Sequence, residues 1–291
     1  MKRIAILGPG LLGGSMAMVS SRDCLAETVA VWGRRREAVD EICVSEWGLG
    51  EGCEASTDLA VVVRGADLVV LATPVGVMRE LSERVVEVLE GDENADRVVI
   101  DIASVKGRVV EDVAPVFEGA GISFVPCHPM AGAEKAGWEY ARADLFSGSV
   151  CVVTPQAGVG EAVVGRVGSY WDALGARVVR MDARDHDRVV ARVSHLPHAA
   201  AAVLVQVALA GGGGEVAGNG LRDSTRVASG PAEMWAEILL ENGEAVMESI
   251  EAFRDGMGEL LAFLEKKDEE GLRRFLSRSK EMRDGLGGGG N

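Results

Sequence analysis

The hydrophobic positions of this chain change period once, and the change divides the sequence in two. Up to about residue 181, short β-branched runs alternate with helical stretches. Arg3–Leu7, Thr28–Trp32, Leu68–Ala72, Val98–Asp101, Phe124–Pro126, Val150–Thr154 and Arg177–Met181 read as strands, with Val77–Leu89 and Gly160–Leu174 among the intervening helices. The runs are apolar on both faces, the pattern of a sheet covered by helices on each side. Such alternation predicts a doubly wound α/β domain. Past Asp182 no strand pattern remains. Asp185–Ala210, Pro231–Lys267 and Asp268–Asp284 carry long helical patterns. Gly211–Gly214 separates the first two, and Gly230-Pro231 with Glu233 marks a helix start. The predicted fold is a Rossmann-like doubly wound sheet domain over residues 1–182, followed by an all-α helical domain over 183–291. The apolar content of the helical part exceeds what three helices hide alone, which predicts a homodimer formed through it.

Composition narrows the function classes. Hydrophobic residues make up 47% and charged residues 26% of 291, a globular balance with enough chain for two cores. The net charge of -15 excludes nucleic acid as a partner, because phosphate binding needs a basic field. An anionic small molecule is still allowed, since it responds to a few local arginines. Five cysteines (Cys24, Cys43, Cys53, Cys127 and Cys151) show no C-x-x-C spacing. They predict reduced thiols in a cytoplasmic protein, with no metal site. Cys127 beside His128 suggests a thiol nucleophile, but strand neighbours point to opposite faces. Lys2-Arg3 before the apolar run Ile4–Val19 imitates a signal peptide; Pro9 and four glycines interrupt it. Ala199–Ala210 holds Gln206 and is too short to span a bilayer, so no membrane association is expected.

The glycines fall where a nucleotide loop needs them. Gly8-Pro9-Gly10-Leu11-Leu12-Gly13 follows the first strand and opens a helix. Gly8 permits the tight turn, Gly10 lets amides approach a pyrophosphate, and Gly13 allows close helix–strand packing. The second strand ends Trp32-Gly33-Arg34-Arg35-Arg36, without the acidic residue that accepts from the ribose 2′-hydroxyl in NAD-selective domains. Arg34 and Arg35 can grip a 2′-phosphate, stack on adenine, or simply begin the next helix in solvent; the first reading favours NADP over NAD. Thr73 and Pro74 close the strand at Leu68–Ala72 as a cofactor-lining loop or as a plain turn.

Candidate chemistry follows at the carboxyl edge, where open α/β sheets bind ligands. Ser104, after the strand at Val98–Asp101, can donate to substrate, cofactor or a histidine, or cap the helix that starts at Lys106. His128 comes one strand later on the same edge and can take a proton from a hydroxyl that is losing hydride. His195 and His198 share a helix face, with Pro197 freeing the carbonyl of Val193. No third metal ligand accompanies them, so substrate contact or a core position are the readings. Arg226 can hold a substrate carboxylate or pair with an acid.

Together these residues resemble the prephenate and arogenate dehydrogenase family of tyrosine biosynthesis. The matching pieces are Gly8 to Ser15, Asp101 to Gly107, His128 to Glu134, Ser194 to His198 and Asp223 to Arg226, and the likeness spans nearly the whole chain. The resemblance implies oxidative decarboxylation of a cyclohexadienyl substrate with NAD or NADP. Hydride leaves the ring carbon bearing the hydroxyl, carbon dioxide departs, and the ring becomes aromatic. By resemblance His128 accepts the hydroxyl proton and Ser104 orients it. Arg226 binds a carboxylate, His198 contacts the substrate, His195 and Trp235 support the pocket, and Glu134 sits at its entrance.

Two other classes fit part of the pattern. A hydroxy-acid or imine oxidoreductase with a helical second domain shares the first half, but commonly uses a lysine in the helical domain. Lys266, Lys267 and Lys280 are the lysines available there, all late in the chain. A non-catalytic nucleotide sensor would leave His128, Ser104 and Arg226 without a joint task. Prephenate and arogenate differ by a keto group against an ammonium, a distinction these motifs leave open.

Overall fold

Six parallel strands order the first part of the chain. In the computed structural model, which describes residues 1–44, 53–92, 94, 96–132 and 137–286, they are β1 (Arg3–Leu7), β2 (Thr28–Trp32), β3 (Cys53–Ser56), β4 (Leu68–Leu71), β5 (Val98–Asp101) and β6 (Ser123–Val125). Their order is β3-β2-β1-β4-β5-β6, so the chain reverses direction across the sheet between β1 and β4. That switch point opens the crevice where such sheets take a dinucleotide. The connecting helices are α1 (Leu11–Arg22), α2 (Arg36–Val44), α3 (Leu59–Val63), α4 (Met78–Leu89), α5 (Gly107–Asp112) and α6 (Ala114–Gly119).

Alternation along β1 shows why these strands read as apolar on both sides. Ile4 and Ile6 enter one core with Met16 of α1, while Ala5 and Leu7 enter the other with Val62 and Val85 of the opposite helices. β3 escaped the sequence pattern for a physical reason: it is an edge strand, only half-buried, with Glu54 facing solvent.

His128 does not continue this sheet, contrary to the expectation of one strand further on the same edge. Pro126 has no N–H to donate, and the parallel ladder stops at Val125. β7 (Cys127–Pro129) instead begins a second sheet with β8 (Val150–Val153) and β9 (Arg177–Arg180), around α7 (Glu161–Ala173). β7 pairs antiparallel with β8, and Thr154 N donates to Pro126 O at 2.9 Å.

From Asp182 on the described residues are helical. α8 (Ala183–Val190) runs through a π turn at Ala191–His195 into α9 (Leu196–Leu209). α10 (Asn219–Thr225) lies between the helical patterns that end at Ala210 and begin at Pro231, so Asp223 and Thr225 are helical and Arg226 follows directly. α11 (Ala232–Glu241) ends at Asn242, so the pattern over Pro231–Lys267 is two helices rather than one.

Two compact units result, Met1–Asn242 and Gly243–Asn291. The first holds both sheets together with α8 to α11. The second is an α-hairpin of α12 (Gly243–Lys266) and α13 (Glu269–Gly285). Asp268 caps α13 by accepting from Gly271 N at 2.9 Å, and Phe263 meets Phe275 edge to face at 6.3 Å. No described helix is long and apolar enough to cross a membrane.

Candidate active site

The glycine loop builds a cradle from backbone alone. Gly8 has φ +121° and a Cβ there would lie 2.4 Å from Ala72 O, so only glycine fits. A Cβ at Gly13 would lie 2.1 Å from Gly8 O, which shows how closely α1 approaches the turn. Nothing lies within 4 Å of the position a Cβ would take at Gly10. Gly10 is also the N-cap of α1 and offers no side-chain cap, so no cap engages the first amides of that helix at Leu11 and Leu12, the arrangement that suits an anion. Across the turn, the buried Thr73 Oγ1 has no hydrogen-bond partner among the described residues, an orphan that a bound polar ligand would satisfy. Pro74 is exposed beside it. Arg34 and Arg35 stand exposed just past β2, while Arg36 turns back to Asp40 at 2.9 Å. The loop thus fits a dinucleotide.

A second constellation gathers around β7. The chain has four histidines, His128, His186, His195 and His198, and all four are buried. His128 Nδ1 lies 2.8 Å from His186 Nε2, and His186 Nδ1 lies 2.8 Å from Asp187 Oδ1. The Asp187 carboxylate also accepts from Lys106 N at 2.8 Å and Gly107 N at 2.7 Å, capping α5 from across the fold. This cap replaces the one expected from Ser104, whose half-buried loop is fixed another way. Asp101 accepts from Ala103 N at 2.9 Å and Cys127 N at 3.2 Å, and forms a fully buried ion pair with Lys106. Lys106 Nζ donates also to Cys127 O at 2.7 Å. One ion pair therefore ties the Ser104 loop to the strand that carries His128.

The π turn brings in the remaining histidines. Nine residues are about two and a half turns at ~3.6 per turn, so a regular helix would set His186 and His195 on opposite faces. Pro197 cannot donate to the carbonyl four residues back and clashes with it, and the wider turn at Ala191–His195 absorbs the conflict. His195 then meets Asn242, whose Nδ2 donates to His195 Nδ1 at 3.1 Å and to Asp187 O at 2.8 Å. His198 stacks on Trp235 with centroids 3.6 Å apart, and His195 meets the same indole edge to face at 6.3 Å. Gly230 allows this stack, because a Cβ there would lie 2.5 Å from Trp235 Nε1. His198 Nδ1 is buried without a hydrogen-bond partner among the described residues. Arg226 is exposed at the end of α10, in the turn that packs on α9. Glu134 lies outside the described residues.

Electrostatics favour the neutral form of His128, His195 and His198. Burial, then His186, Lys106 and His195, hold His128 well below the ordinary imidazole range. Burial pushes His195 down to about 4, against the pull of Asp187. His198 is lowered by burial as well. Asp187 stays below the usual carboxylate range: burial would raise it, but the His186 contact and the Lys106 and Gly107 amides outweigh that. A buried neutral imidazole with one nitrogen engaged and the other unbonded can accept a proton, and no metal-binding cluster of His, Cys, Asp or Glu occurs among the described residues.

Comparison with known proteins now decides the family. Residues 26–180 match the prephenate dehydrogenase nucleotide-binding domain and residues 182–278 the prephenate dehydrogenase dimerization domain. The cyclohexadienyl dehydrogenase of Zymomonas mobilis is 30% identical over 97% of this chain and 95% of its own length. This chain belongs to the prephenate dehydrogenase family. It is accordingly a nicotinamide-dependent oxidoreductase. The prephenate dehydrogenase of A. aeolicus, solved with hydroxyphenyl propionate and NAD+, superposes with a TM-score of 0.86 at 32% identity, covering 98% of each chain. Synechocystis arogenate dehydrogenase gives 0.81 at 25% identity over 98% of this chain and 99% of that one.

Within this prephenate dehydrogenase fold, the motifs found His128, His195 and His198 but missed His186, Asp187, Asn242 and the Asp101–Lys106 pair. His186-Asp187 carried a faint signal, a histidine–aspartate step one turn past the Asp182 cap in the same helical run as His195. Asn242 carried none, since its partners are distant in sequence.

Proposed function

We propose that this chain oxidises prephenate or arogenate with loss of carbon dioxide, using NADP in preference to NAD, in the cytoplasm. The observation that carries the reading is His128: buried, held neutral, with Nδ1 engaged by His186 and Nε2 free of any hydrogen bond among the described residues. Gly8, Gly10, Leu11, Leu12, Gly13, Thr73 and Pro74 hold the dinucleotide, with Arg34 and Arg35 toward its adenosine end. When bound, the cofactor supplies the hydride acceptor. His128 accepts the proton of the substrate hydroxyl at Nε2, and Ser104 orients that hydroxyl. Arg226 holds the carboxylate that stays, because tight pairing to the departing one would stabilise the ground state and slow the reaction. His198 offers its Nδ1 to the substrate, and Trp235 and His195 brace it.

In this reading residues 1–182 bind the cofactor, and residues 183–291 cover the substrate and form a homodimer. An apolar stripe on α12 supports the dimer: Met247, Ile250, Phe253, Met257, Leu261 and Leu264 recur every three or four residues and are all exposed on the single chain. Among the described residues the buried lysine is Lys106, committed to Asp101, whereas Lys266, Lys267 and Lys280 are exposed. That disfavours a lysine-based oxidoreductase.

The test is reduction of NAD and of NADP by the purified protein with prephenate and with arogenate. Turnover of at least one pair is expected, faster with NADP, and His128→Asn should abolish it while cofactor binding persists. Silence in all four assays with cofactor bound, or an active His128→Asn, overturns the reading.

A further inference from the structure

The arrangement of His128, His186 and Asp187 is directional. A carboxylate only accepts hydrogen bonds, and Asp187 already accepts two backbone amides, so His186 Nδ1 at 2.8 Å carries the hydrogen between them. In its uncharged form His186 then presents a lone pair at Nε2. His128 Nδ1, 2.8 Å away, must donate to it. That leaves the lone pair of His128 on Nε2, a nitrogen no group among the described residues engages. We propose that His186, backed by Asp187, is a positioning residue that fixes His128 in the tautomer a base requires and then takes over the proton His128 accepts. This rests on the reading of His128 as the base.

The step balances without an added reagent. The substrate O–H bond breaks and a bond forms from that proton to His128 Nε2. The Nδ1–H of His128 breaks as His186 Nε2–H forms, so His128 ends neutral and His186 ends as the cation beside the Asp187 carboxylate. The surroundings favour that location. Around His128 stand the Lys106 ammonium with Asp101 from the β5 edge, the Cys127 and Cys151 thiols from β7 and β8, and His195 from the π turn. Burial pushes the Cys151 thiol up, so it supplies no counter-charge. Asp187 is the carboxylate on the far side of the relay, and it touches His186 rather than His128. A positive charge next to Lys106 is therefore passed one imidazole further, to the group with an anionic partner. Asn242 leaves this route open: it spends its amide hydrogens on Asp187 O and His195 Nδ1, away from both relay nitrogens.

Four histidines make the tautomers directly readable. In a 15N spectrum of the histidine-labelled wild-type chain at neutral pH, His128 should show a protonated Nδ1 and a bare Nε2, and His186 likewise. A bare Nδ1 with protonated Nε2 at His128 overturns the proposal, and no variant needs to fold for that result. His186→Gln then separates the two duties, since its amide oxygen can still accept from His128 but cannot take a proton. It should lower kcat about tenfold or more with KM little changed, and move the acid limb of the kcat profile to lower pH; His186→Leu, which loses both duties, should cost roughly 10²-fold or more. Wild-type kcat and an unmoved acid limb in His186→Gln would overturn the relay. His128→Gln is the control for the underlying reading: if it retains turnover, the base assignment fails whatever His186 does.

Discussion

Gly8, Gly10 and Gly13 build their cradle within one short turn of chain, where Gly8 and Gly13 leave no room for a Cβ. The histidine cluster gathers Asp101, Lys106, His128, His186, Asp187, His195 and Asn242 from β5 to the end of α11. The first region is local and nearly uncharged. The second is non-local, buried and dense with ionisable groups, and each side chain holds its place only because another does. A local cradle should therefore fail alone when damaged, whereas the cluster should fail as a unit and with a strong pH signature.

Lys106→Met is the largest way to break this contrast. Lys106 and Asp101 are both 0% exposed, so the variant leaves a carboxylate buried without its cation. Removing one partner of a buried pair costs about 3–5 kcal/mol. The sign with pH follows from Asp101, whose carboxyl is raised by burial despite Lys106. A carboxyl raised on folding takes stability away above its unfolded value, about 3.9, and takes none away below it. Loss of Lys106 widens that gap. Denaturant midpoints measured from neutral to acidic pH should show the deficit of Lys106→Met shrinking as pH falls. A deficit that ignores pH would mean the pair is not the strut between the Ser104 loop and β7.

Gly13→Ala attacks the other region with a smaller expected effect on folding. Its Cβ would meet Gly8 O at 2.1 Å, an overpacking that typically costs about 1–3 kcal/mol. The damage should be confined: cofactor KM should rise at least tenfold, about 1.4 kcal/mol, while the 15N pattern of the four histidines stays as in the wild type. A changed histidine pattern would show that the regions are coupled and that the contrast is overdrawn.

The same contrast explains what could be read in advance. β1, β2, β4 and β5 and the glycine loop are written in contiguous residues, where β-branched runs and a glycine spacing map directly onto backbone. His128, His195 and His198 were legible because their neighbours Pro129, Pro197 and Ser194 form short motifs. The pairing of His186 with His128 was not, since it depends on Pro126 ending one sheet, nor was the approach of His195, which depends on the π turn rephasing a helix. Neither event leaves a hydrophobic period to detect. Asn242 was illegible for a related reason: the apolar pattern runs unbroken across it, and its role comes from the groups its amide reaches.

The smallest effect should come from the edge of the local region. Arg34 and Arg35 are exposed and support no packing, so replacing both with alanine should change stability by no more than about 0.5 kcal/mol. If they grip a 2′-phosphate, KM for NADP should rise about tenfold, or ~1.4 kcal/mol, while KM for NAD hardly moves. Exposure limits the effect, because solvent screens a surface charge that a buried one would feel in full. High salt should therefore shrink the difference between the double variant and the wild type. Equal losses for both cofactors would place the arginines on the adenine ring instead, and the preference for NADP would have to come from elsewhere in the loop.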